Sequence, residues 1–377
     1  MSSESKCPRK EECGSCSWSH IPYEKQLAQK LSDINGSFAL KELDLRCDQI
    51  FPSPVIEHYR NRMDFVISFK GELGLRQKGK WWRVIDGHTC FISDLKIEHH
   101  FKTIQSWLQS ADLSFYDRKA HTGLLRYAVI RSSSIGETLI NVVTSNPKEE
   151  KQRCLEELNK LAELSGATTL IWAINNTDSD VSSGEELHTI SGKGYLEEEI
   201  NGYRYKISPQ AFFQTNSSAA GLLIDTAKEF VGDLNSKVLL DLYCGSGFFS
   251  IAMSDIAQKT YGVELDQQMI IDAQENAKRN NVDVEYTSSA TESFNWTIYN
   301  PNVVILDPPR SGLHKNALKD VLNYKPEQIL YVSCNFKNFA REMLELKEYY
   351  HVEQMRAVDL FPHTPHVELI SLLSKKS

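Results

Sequence analysis

The chain of 377 residues carries a formal net charge of −8, and 41% of its residues are hydrophobic. This apolar content suffices for folded cores and excludes a disordered chain, and no stretch approaches the roughly 18 apolar residues of a membrane span. The acidic balance argues mildly against a nucleic-acid-binding protein, although a local basic face is compatible with it. The polar N-terminus lacks the apolar core of a signal peptide, so we expect a cytoplasmic protein with no membrane partner, and a monomer by default.

The first half of the chain predicts a mixture of strands and helices. Residues 23–31 and 148–164 have helical spacing, whereas residues 126–130 and 138–143 have the composition of strands. The polar run at residues 175–186 predicts a loop or the tip of a hairpin.

From about residue 218 the pattern changes to apolar strands that alternate with helices. Helices are predicted from residue 248 onwards and over residues 267–279, and the accompanying strands cover residues 238–242, 260–263, 303–306 and 329–332. Such alternation predicts a mainly parallel sheet with helices on both faces, in which ligands bind at the carboxyl ends of the strands. A further helix over residues 208–230 is predicted to join this region to the preceding one.

The strand ends carry the features of a cofactor pocket. The first strand continues into Asp-Leu-Tyr-Cys-Gly-Ser-Gly at residues 241–247, where glycines let the backbone turn sharply, as a purely structural turn also requires. Glu264 ends the next strand, where a carboxylate can accept hydrogen bonds from ribose hydroxyls. Because Ser250 interrupts the full GxGxxG pattern, the loop favours S-adenosylmethionine, which has no pyrophosphate, over NAD. Asp307 adds a carboxylate at the end of the strand at residues 303–306, and the alternative there is again a structural turn.

Cys334 follows the strand at residues 329–332 and has polar neighbours, so we expect it to face the same pocket. The alternative is a buried apolar cysteine. A thiolate that adds to C6 of uracil makes C5 nucleophilic, and a base must later remove the C5 proton. Glu368 is the candidate base, although its spacing alone favours a solvated carboxylate at a strand edge.

Four cysteines have the spacing of a metal site: Cys7, Cys13, Cys16 and Cys90. Four thiolates suit either tetrahedral zinc or a [4Fe–4S] cluster, and spacing does not choose between them. The pattern is not the C-x3-C-x2-C of radical enzymes. Cys47 and Cys154 have no partner pattern and are expected to be packing residues.

Cations and aromatic side chains alternate over residues 59–63 and 76–83. Cations neutralise phosphates and aromatic rings stack on splayed-out bases, so this stretch is a candidate RNA surface. The alternative is a solvated β-hairpin with ordinary surface charges.

Taken together, these motifs resemble the RNA uracil-C5 methyltransferase family, which modifies 23S ribosomal RNA or tRNA. The resemblance covers most of the chain. The family's motifs match in order at these positions: Phe-Gln-Thr-Asn at 213–216, Tyr-Cys-Gly-Ser-Gly at 243–247, Asp-Pro-Pro-Arg at 307–310, Ser-Cys-Asn at 333–335 and His-Val-Glu at 366–368.

The resemblance implies a role for each matched residue. The contacts to the methyl donor fall on Gln214, Tyr243, Glu264 and Asp307. Cys334 is the implied nucleophile, and Glu368 is the implied base. The four spaced cysteines match the ligands of the [4Fe–4S] cluster in the ribosomal-RNA-type members, and 23S ribosomal RNA is the favoured substrate over tRNA. Phe336 replaces the family's proline and Phe248 a frequent asparagine, and the family's N-terminal β-barrel RNA-binding domain is expected to be absent.

We therefore expect an α/β protein with three parts. Residues 1–50 form a small cysteine-rich cluster-binding segment, residues 51–205 a mixed α/β RNA-binding domain that supplies Cys90, and residues 206–377 a Rossmann-like methyltransferase domain. One rival is an amino methyltransferase that would not need Cys334. Another is a cluster-containing RNA-binding or redox protein with an inactive methyltransferase fold.

Overall fold

The structure, a computed structural model, describes residues 6–88 and 90–377. The chain divides into two compact units. The N-terminal unit contains residues 6–20, Val55–Glu199 and Ile207–Gln210, and the C-terminal unit contains Ile21–Pro54, Ile200–Lys206 and Ala211–Ser377. Among the helices of the described residues, none has the length and hydropathy that crossing a bilayer requires.

The chain contains both α-helices and β-strands, which largely alternate from residue 217 onwards. The α-helices of the described residues are α1 (Lys10–Cys13), α2 (Tyr23–Ala39), α3 (Leu95–Leu108), α4 (Lys151–Ser165), α5 (Ser217–Val231), α6 (Phe248–Met253), α7 (Gln267–Arg279), α8 (Lys315–Tyr324) and α9 (Phe336–Leu346). The strands are β1 (Ile50–Phe51), β2 (Arg62–Ile67), β3 (Leu73–Gln77), β4 (Lys80–Asp86), β5 (Leu125–Ser132), β6 (Thr138–Ser145), β7 (Thr169–Asn175), β8 (Glu186–Ser191), β9 (Leu196–Ile200), β10 (Tyr203–Ile207), β11 (Leu234–Leu242), β12 (Ala257–Glu264), β13 (Val284–Ser288), β14 (Val303–Leu306), β15 (Gln328–Ser333), β16 (Tyr350–Val358) and β17 (Glu368–Lys375).

The N-terminal unit is built on a sheet whose described strands run in the order β4-β3-β2-β5-β6-β7-β8. Its pairs are antiparallel except β6 with β7, which are parallel and joined through α4. Helix α3 covers the core with Ile97, Phe101 and Ile104, whose spacing of four and three residues places them on one helix face. The Asp94 carboxylate caps that helix by accepting a hydrogen bond from the Lys96 backbone N–H at 2.7 Å.

The C-terminal unit is built on a sheet with the described strand order β1-β16-β17-β15-β14-β11-β12-β13. Strands β11, β12, β13, β14 and β15 are mutually parallel, whereas β17 runs antiparallel to both β15 and β16. The chain moves outward from β11 through β12 on one side and continues through β14 on the other. Such a reversal of strand order leaves a crevice above the carboxyl ends of the central strands.

Helix α2 belongs to the C-terminal unit, although it lies close to the N-terminal cysteines in sequence. Its Phe38 packs edge-on against Phe339 of α9, with 6.1 Å between the ring centroids. The predicted segment of residues 1–50 is therefore divided: residues 6–20 lie in the N-terminal unit and residues 21–50 in the other. Apolar contacts of α2 with the larger core account for this division.

One predicted helix begins later than expected. The helix predicted over residues 208–230 starts at Ser217, because the Asn216 side chain caps it by accepting a hydrogen bond from the Ala219 backbone N–H at 3.2 Å. Pro209 lies in the preceding non-helical segment, where its fixed φ angle and missing N–H are tolerated.

Candidate active site

The predicted pocket residues lie at one edge of the parallel sheet. Leu242 pairs with Val263 and with Leu306, so β11, β12 and β14 end at the same level. Tyr243 follows the first of these strands and Asp307 the third. Because the strands are parallel and in register, the side chains that follow them converge above the crevice.

The glycine loop after β11 has a backbone conformation that side chains rarely adopt. The φ angles are 68° at Tyr243, 55° at Gly245 and 88° at Gly247. A Cβ atom at Gly247 would lie 2.7 Å from the Tyr286 hydroxyl oxygen, closer than any ordinary contact. The loop thus requires a glycine at 247, both for its φ angle and for space.

Two carboxylates hold this loop. Glu264 accepts hydrogen bonds from the backbone N–H groups of Gly245 at 3.1 Å and Asp266 at 2.9 Å. Asp241 is buried beneath the loop, where its Oδ2 accepts from the Ser250 backbone N–H at 2.9 Å, and its Oδ1 has no hydrogen-bond partner among the described residues. Burial, reinforced by the neighbouring Asp307 carboxylate, raises the pKa of Asp241 well above its usual value. A buried acceptor without a partner beside a tight loop fits a polar ligand at this position.

Gln214 is partly exposed in the segment that precedes α5. Its neighbour Phe213 packs perpendicular to Phe248, with ring centroids 5.9 Å apart, so this segment runs beside the glycine loop. The Phe248 carbonyl oxygen also accepts a hydrogen bond from the Tyr205 hydroxyl at 3.1 Å. The side chain at 248 is therefore a packing residue, which explains how the chain accommodates an aromatic residue where many family members have asparagine.

The register of β17 places Glu368 beside Cys334, the candidate nucleophile. Ser333 pairs with Leu369 in the antiparallel ladder, so the next residues outward, Cys334 and Glu368, lie opposite each other. Glu368 is only 6% exposed, which overturns the solvated carboxylate that its spacing alone favoured. Burial, together with the Asp307 charge, raises the pKa of Glu368 to about 8.

Cys334 is partly exposed rather than part of the apolar core. Burial raises the pKa of its thiol to about 11, and the carboxylates of Glu368 and Asp307 add to this rise. Burial likewise raises the pKa of Asp307 to about 7. Three acids thus share one partly dehydrated space, an arrangement more frequent at catalytic sites than elsewhere.

Arg310 lies near Cys334 and Glu368, and the sequence alone assigned it no role at this site. Its guanidinium lowers the pKa of both Cys334 and Glu368, which opposes the effect of burial. Its carbonyl oxygen accepts hydrogen bonds from the Asn335 side chain at 3.2 Å and from the Asn338 side chain at 2.7 Å. In the sequence, Arg310 is marked only as the last residue of the Asp-Pro-Pro-Arg motif. The motif does not show that this arginine lies near the Cys334 thiol.

Phe336 is the first residue of α9, the position at which proline is common in helices. Asn335 caps this helix by accepting a hydrogen bond from the Lys337 backbone N–H at 3.3 Å, and the Ser333 hydroxyl accepts from the Asn335 N–H at 3.2 Å. Side-chain caps thus begin the helix directly after Cys334 without the proline that the family motif carries.

The four spaced cysteines all belong to the N-terminal unit. Cys7, Cys16 and Cys90 are buried, and Cys13 is partly exposed. A hydrogen bond with Cys90 raises the pKa of Cys16, and the same bond lowers the pKa of Cys90 to about 7. The Cys7 and Cys13 thiols also act electrostatically on Cys16, so the four are neighbours. No three His, Cys, Asp or Glu side chains of the described ranges are arranged so that they could hold a metal ion.

The predicted cation and aromatic surface divides into two parts. Tyr59 and Met63 are buried, and Arg62 pairs with Asp64 at 2.9 Å, so residues 59–63 are not a free surface and that part of the prediction is wrong. Alternate side chains of β2 face a core, as expected for a central strand. Residues 78–83 are exposed.

Residues 185–376 match the family described as tRNA (Uracil-5-)-methyltransferase. An uncharacterized RNA methyltransferase of Caldanaerobacter subterraneus is 38% identical over 99% of this chain and 85% of its own length. A tRNA (uracil(54)-C(5))-methyltransferase of Pyrococcus horikoshii is 34% identical over 96% of this chain and 83% of its own.

A similar solved structure is the Pyrococcus abyssi tRNA (uracil-54, C5)-methyltransferase in complex with S-adenosyl-L-homocysteine. It is 31% identical, with a TM-score of 0.79 over 95% of this chain and 85% of that one. The mixed α/β fold therefore matches that of an S-adenosylmethionine-dependent methyltransferase. The chain belongs to the RNA uracil-C5 methyltransferase family and is an S-adenosylmethionine-dependent RNA (uracil-5-)-methyltransferase.

Proposed function

We propose that the chain methylates C5 of a specific uridine in RNA through a transient covalent bond between Cys334 and C6 of the base. The observation that carries the proposal is the strand register, in which a buried Glu368 lies opposite Cys334. S-adenosylmethionine supplies the methyl group as an electrophile. Gln214, Tyr243, Glu264 and Asp307 are the proposed contacts to this donor.

The Cys334 thiolate adds to C6, which makes C5 nucleophilic towards the methyl group. C5 then carries both a methyl group and a proton. The Glu368 carboxylate removes this proton, the C5–C6 double bond re-forms, and the thiolate leaves, so that one proton is released overall. A carboxylate whose pKa is near 8 is a stronger base than an ordinary carboxylate, and its ionised form, which accepts the C5 proton, becomes the main form above pH 8.

Arg310 is the proposed positioning residue for the thiolate. The thiol pKa of about 11 disfavours ionisation at neutral pH, and the nearby guanidinium is the group that lowers it. A cationic neighbour is a common way to activate a cysteine.

We propose two candidate RNA substrates, 23S ribosomal RNA and tRNA. The resemblance favours 23S ribosomal RNA, whereas the Pyrococcus relatives are named for uracil 54 of tRNA. We infer that unmodified tRNA is the first RNA to test, with 23S ribosomal RNA second.

The decisive experiment incubates anaerobically purified protein with labelled S-adenosylmethionine and each RNA, followed by nucleoside analysis. We expect 5-methyluridine from one RNA, its loss in Cys334→Ala, and its retention in Cys47→Ala, which changes another cysteine of the same unit. Glu368→Gln should accumulate a protein–RNA adduct that survives denaturant and disappears when Cys334 is also replaced. Retained activity in Cys334→Ala would favour the amino-methyltransferase hypothesis instead.

We further propose that Cys7, Cys13, Cys16 and Cys90 hold a [4Fe–4S] cluster with a structural role. The proposal is supported by the type and spacing of the donors, since thiolates are the ligands of iron–sulfur and zinc sites, although in the described residues the four side chains are not arranged around a common metal position. Nothing in the methyl transfer requires an electron. Iron, sulfide and zinc content of anaerobic protein decides between the metals, with Cys13→Ser expected to lose the cluster and Cys154→Ala to keep it. Zinc without iron would contradict the cluster.

A further inference from the structure

The hairpin of β3 and β4 contains a bulge that displays aromatic side chains. Arg76 pairs with Val84 and the adjacent Gln77 pairs with Lys80, so three residues on β4 have no partner on β3. These residues are Trp81, Trp82 and Arg83, which we call the tryptophan bulge. β4 is the edge strand of the described sheet, so no further described strand covers the outer side of these residues.

Both indoles of the bulge face solvent. Trp81 is 57% exposed and Trp82 61% exposed, although consecutive strand residues normally point to opposite faces. Their rings lie at 88° with centroids 5.9 Å apart, so the two rings do not stack on each other. Ring faces therefore remain available to a flat partner.

The bulge is held in place by Arg76. The Arg76 guanidinium donates a hydrogen bond to the Trp81 carbonyl oxygen. The same guanidinium pairs with Asp180 at 2.5 Å and donates to the Tyr127 hydroxyl at 2.8 Å. A cation that is anchored in this way is a support for the bulge rather than a phosphate contact.

Three other cations surround the indoles. Lys78, Lys80 and Arg83 are all exposed, and none forms an ion pair with another described residue. These cations lie beside the exposed indoles although the chain as a whole has a net charge of −8. This combination is complementary to a strand of nucleic acid, whose phosphates take the cations and whose bases stack on aromatic rings.

The tip of the hairpin is braced by the cysteine-rich segment. The Lys78 backbone N–H donates to the Glu12 carbonyl oxygen at 2.7 Å. A Cβ atom at Gly14 would lie 2.5 Å from the Lys78 Cδ atom, so the segment and the tip are in close contact. The hairpin tip is therefore supported directly by the cysteine segment.

We propose that the tryptophan bulge is an RNA-docking surface of the N-terminal unit, which stacks unpaired bases on Trp81 and Trp82 and holds phosphates with Lys78, Lys80 and Arg83. This inference rests on the proposed function and names the surface that engages its substrate. A single-stranded loop is the preferred target, because bases paired within a duplex do not offer their faces for stacking.

The test measures binding of the full-length protein to fluorescently labelled unmodified tRNA, to a short oligouridylate and to a duplex of equal length. Trp81→Ala and Trp82→Ala should each weaken oligouridylate binding about 5- to 150-fold, the range expected when one base no longer stacks. Trp81→Phe should retain most of the affinity. Ile135→Ala, which truncates another exposed apolar residue of the unit, should bind as the wild type does.

The salt dependence tests the cations separately. The logarithm of the binding constant falls linearly with the logarithm of the salt concentration. Replacing Lys80 and Arg83 with alanine should make this slope less steep by about 0.7 for each single-strand phosphate that the variant no longer neutralises. Lys151→Ala removes an exposed charge from α4 and should leave the slope unchanged. Affinity for S-adenosylmethionine, measured by calorimetry, should stay at the wild-type value in every variant.

Wild-type RNA affinity in the tryptophan variants, together with an unchanged salt slope in the cation variant, would overturn the inference and leave the surface to a protein partner. Equal weakening of oligouridylate and duplex binding would overturn the stacking part. An alanine variant that also fails to bind S-adenosylmethionine is misfolded and does not test the inference. In that case the RNA affinity of Trp81→Phe and the salt slope of the cation variant are used instead. Wild-type protein that binds RNA through the bulge but forms no 5-methyluridine would refute the proposed function alone.

Discussion

Replacement of Glu368 by glutamine should stabilise the protein at high pH. The folded protein raises the pKa of this carboxyl from 4.5 to about 8, so the folded state binds the proton more tightly than the unfolded state does. Between these two values the unfolded chain has already released the proton, and wild-type stability therefore falls as pH rises. Glutamine has nearly the same shape and does not ionise.

The magnitude follows from the interval between the two pKa values. Each pH unit from 4.5 to 8 costs the wild type about 1.4 kcal/mol, so the charged carboxylate costs at most about 5 kcal/mol above pH 8. For a unit of this size 1 kcal/mol shifts the Tm by about 2–4 °C. The Tm of Glu368→Gln should therefore exceed that of the wild type by up to about 10–20 °C at pH 9, with little difference near pH 4.5.

The assay is a set of thermal melts of both proteins from pH 4.5 to 9, followed by circular dichroism. Glu345→Gln is the matched control, because Glu345 is an exposed carboxylate of α9. Its Tm should follow the wild type across the range. A difference between Glu368→Gln and wild type that is independent of pH, or that favours the wild type at pH 9, would refute the burial argument and remove the physical basis for Glu368 as a base.

Three further perturbations test other parts of the C-terminal unit. Lys30 and Asp359 form a fully buried ion pair at 2.6 Å. Lys30→Met should destabilise the protein by about 3–5 kcal/mol, measured by urea unfolding, because it leaves the Asp359 charge buried and unpaired. Adding Asp359→Leu should restore much of the stability. Arg310→Met should raise the pKa of Cys334 and so move the rising limb of the kcat/KM–pH profile to higher pH. A limb at the wild-type pH would count against the proposed role of Arg310. Gly247→Ala should lower the free energy of unfolding by about 1–2 kcal/mol, because residue 247 has a φ angle of 88°. It should also weaken the binding of S-adenosylmethionine, measured by calorimetry, because the new Cβ atom would lie 2.7 Å from the Tyr286 hydroxyl. Unchanged affinity would mean that the loop adapts.

The sequence by itself was sufficient to predict the parallel half of the pocket. Apolar runs that end in Tyr243, Glu264 and Asp307 are confirmed as β11, β12 and β14, and they end at one level of the sheet. This succeeds because right-handed crossovers make consecutive parallel strands end at the same edge, so local pattern is enough to place their terminal residues.

Elements that depend on distant pairing were not predictable in the same way. The direction of β17 does not follow from its own residues, and only its antiparallel pairing with β15 makes Glu368 a buried neighbour of Cys334 instead of a solvated residue. The tryptophan bulge likewise depends on the register of β4 against β3, which residues 80–86 alone do not specify.

What the sequence determined about this protein is the chemistry available at each strand end and the order in which those ends occur. Only the tertiary structure decided which of those groups lie together and how their protons are held. Burial and neighbouring charge set the pKa values of Cys334 and Glu368, and both depend on side chains that are far apart in the chain. Dehydration and Coulomb interactions act through space, whereas a sequence pattern reports only what is adjacent along the backbone.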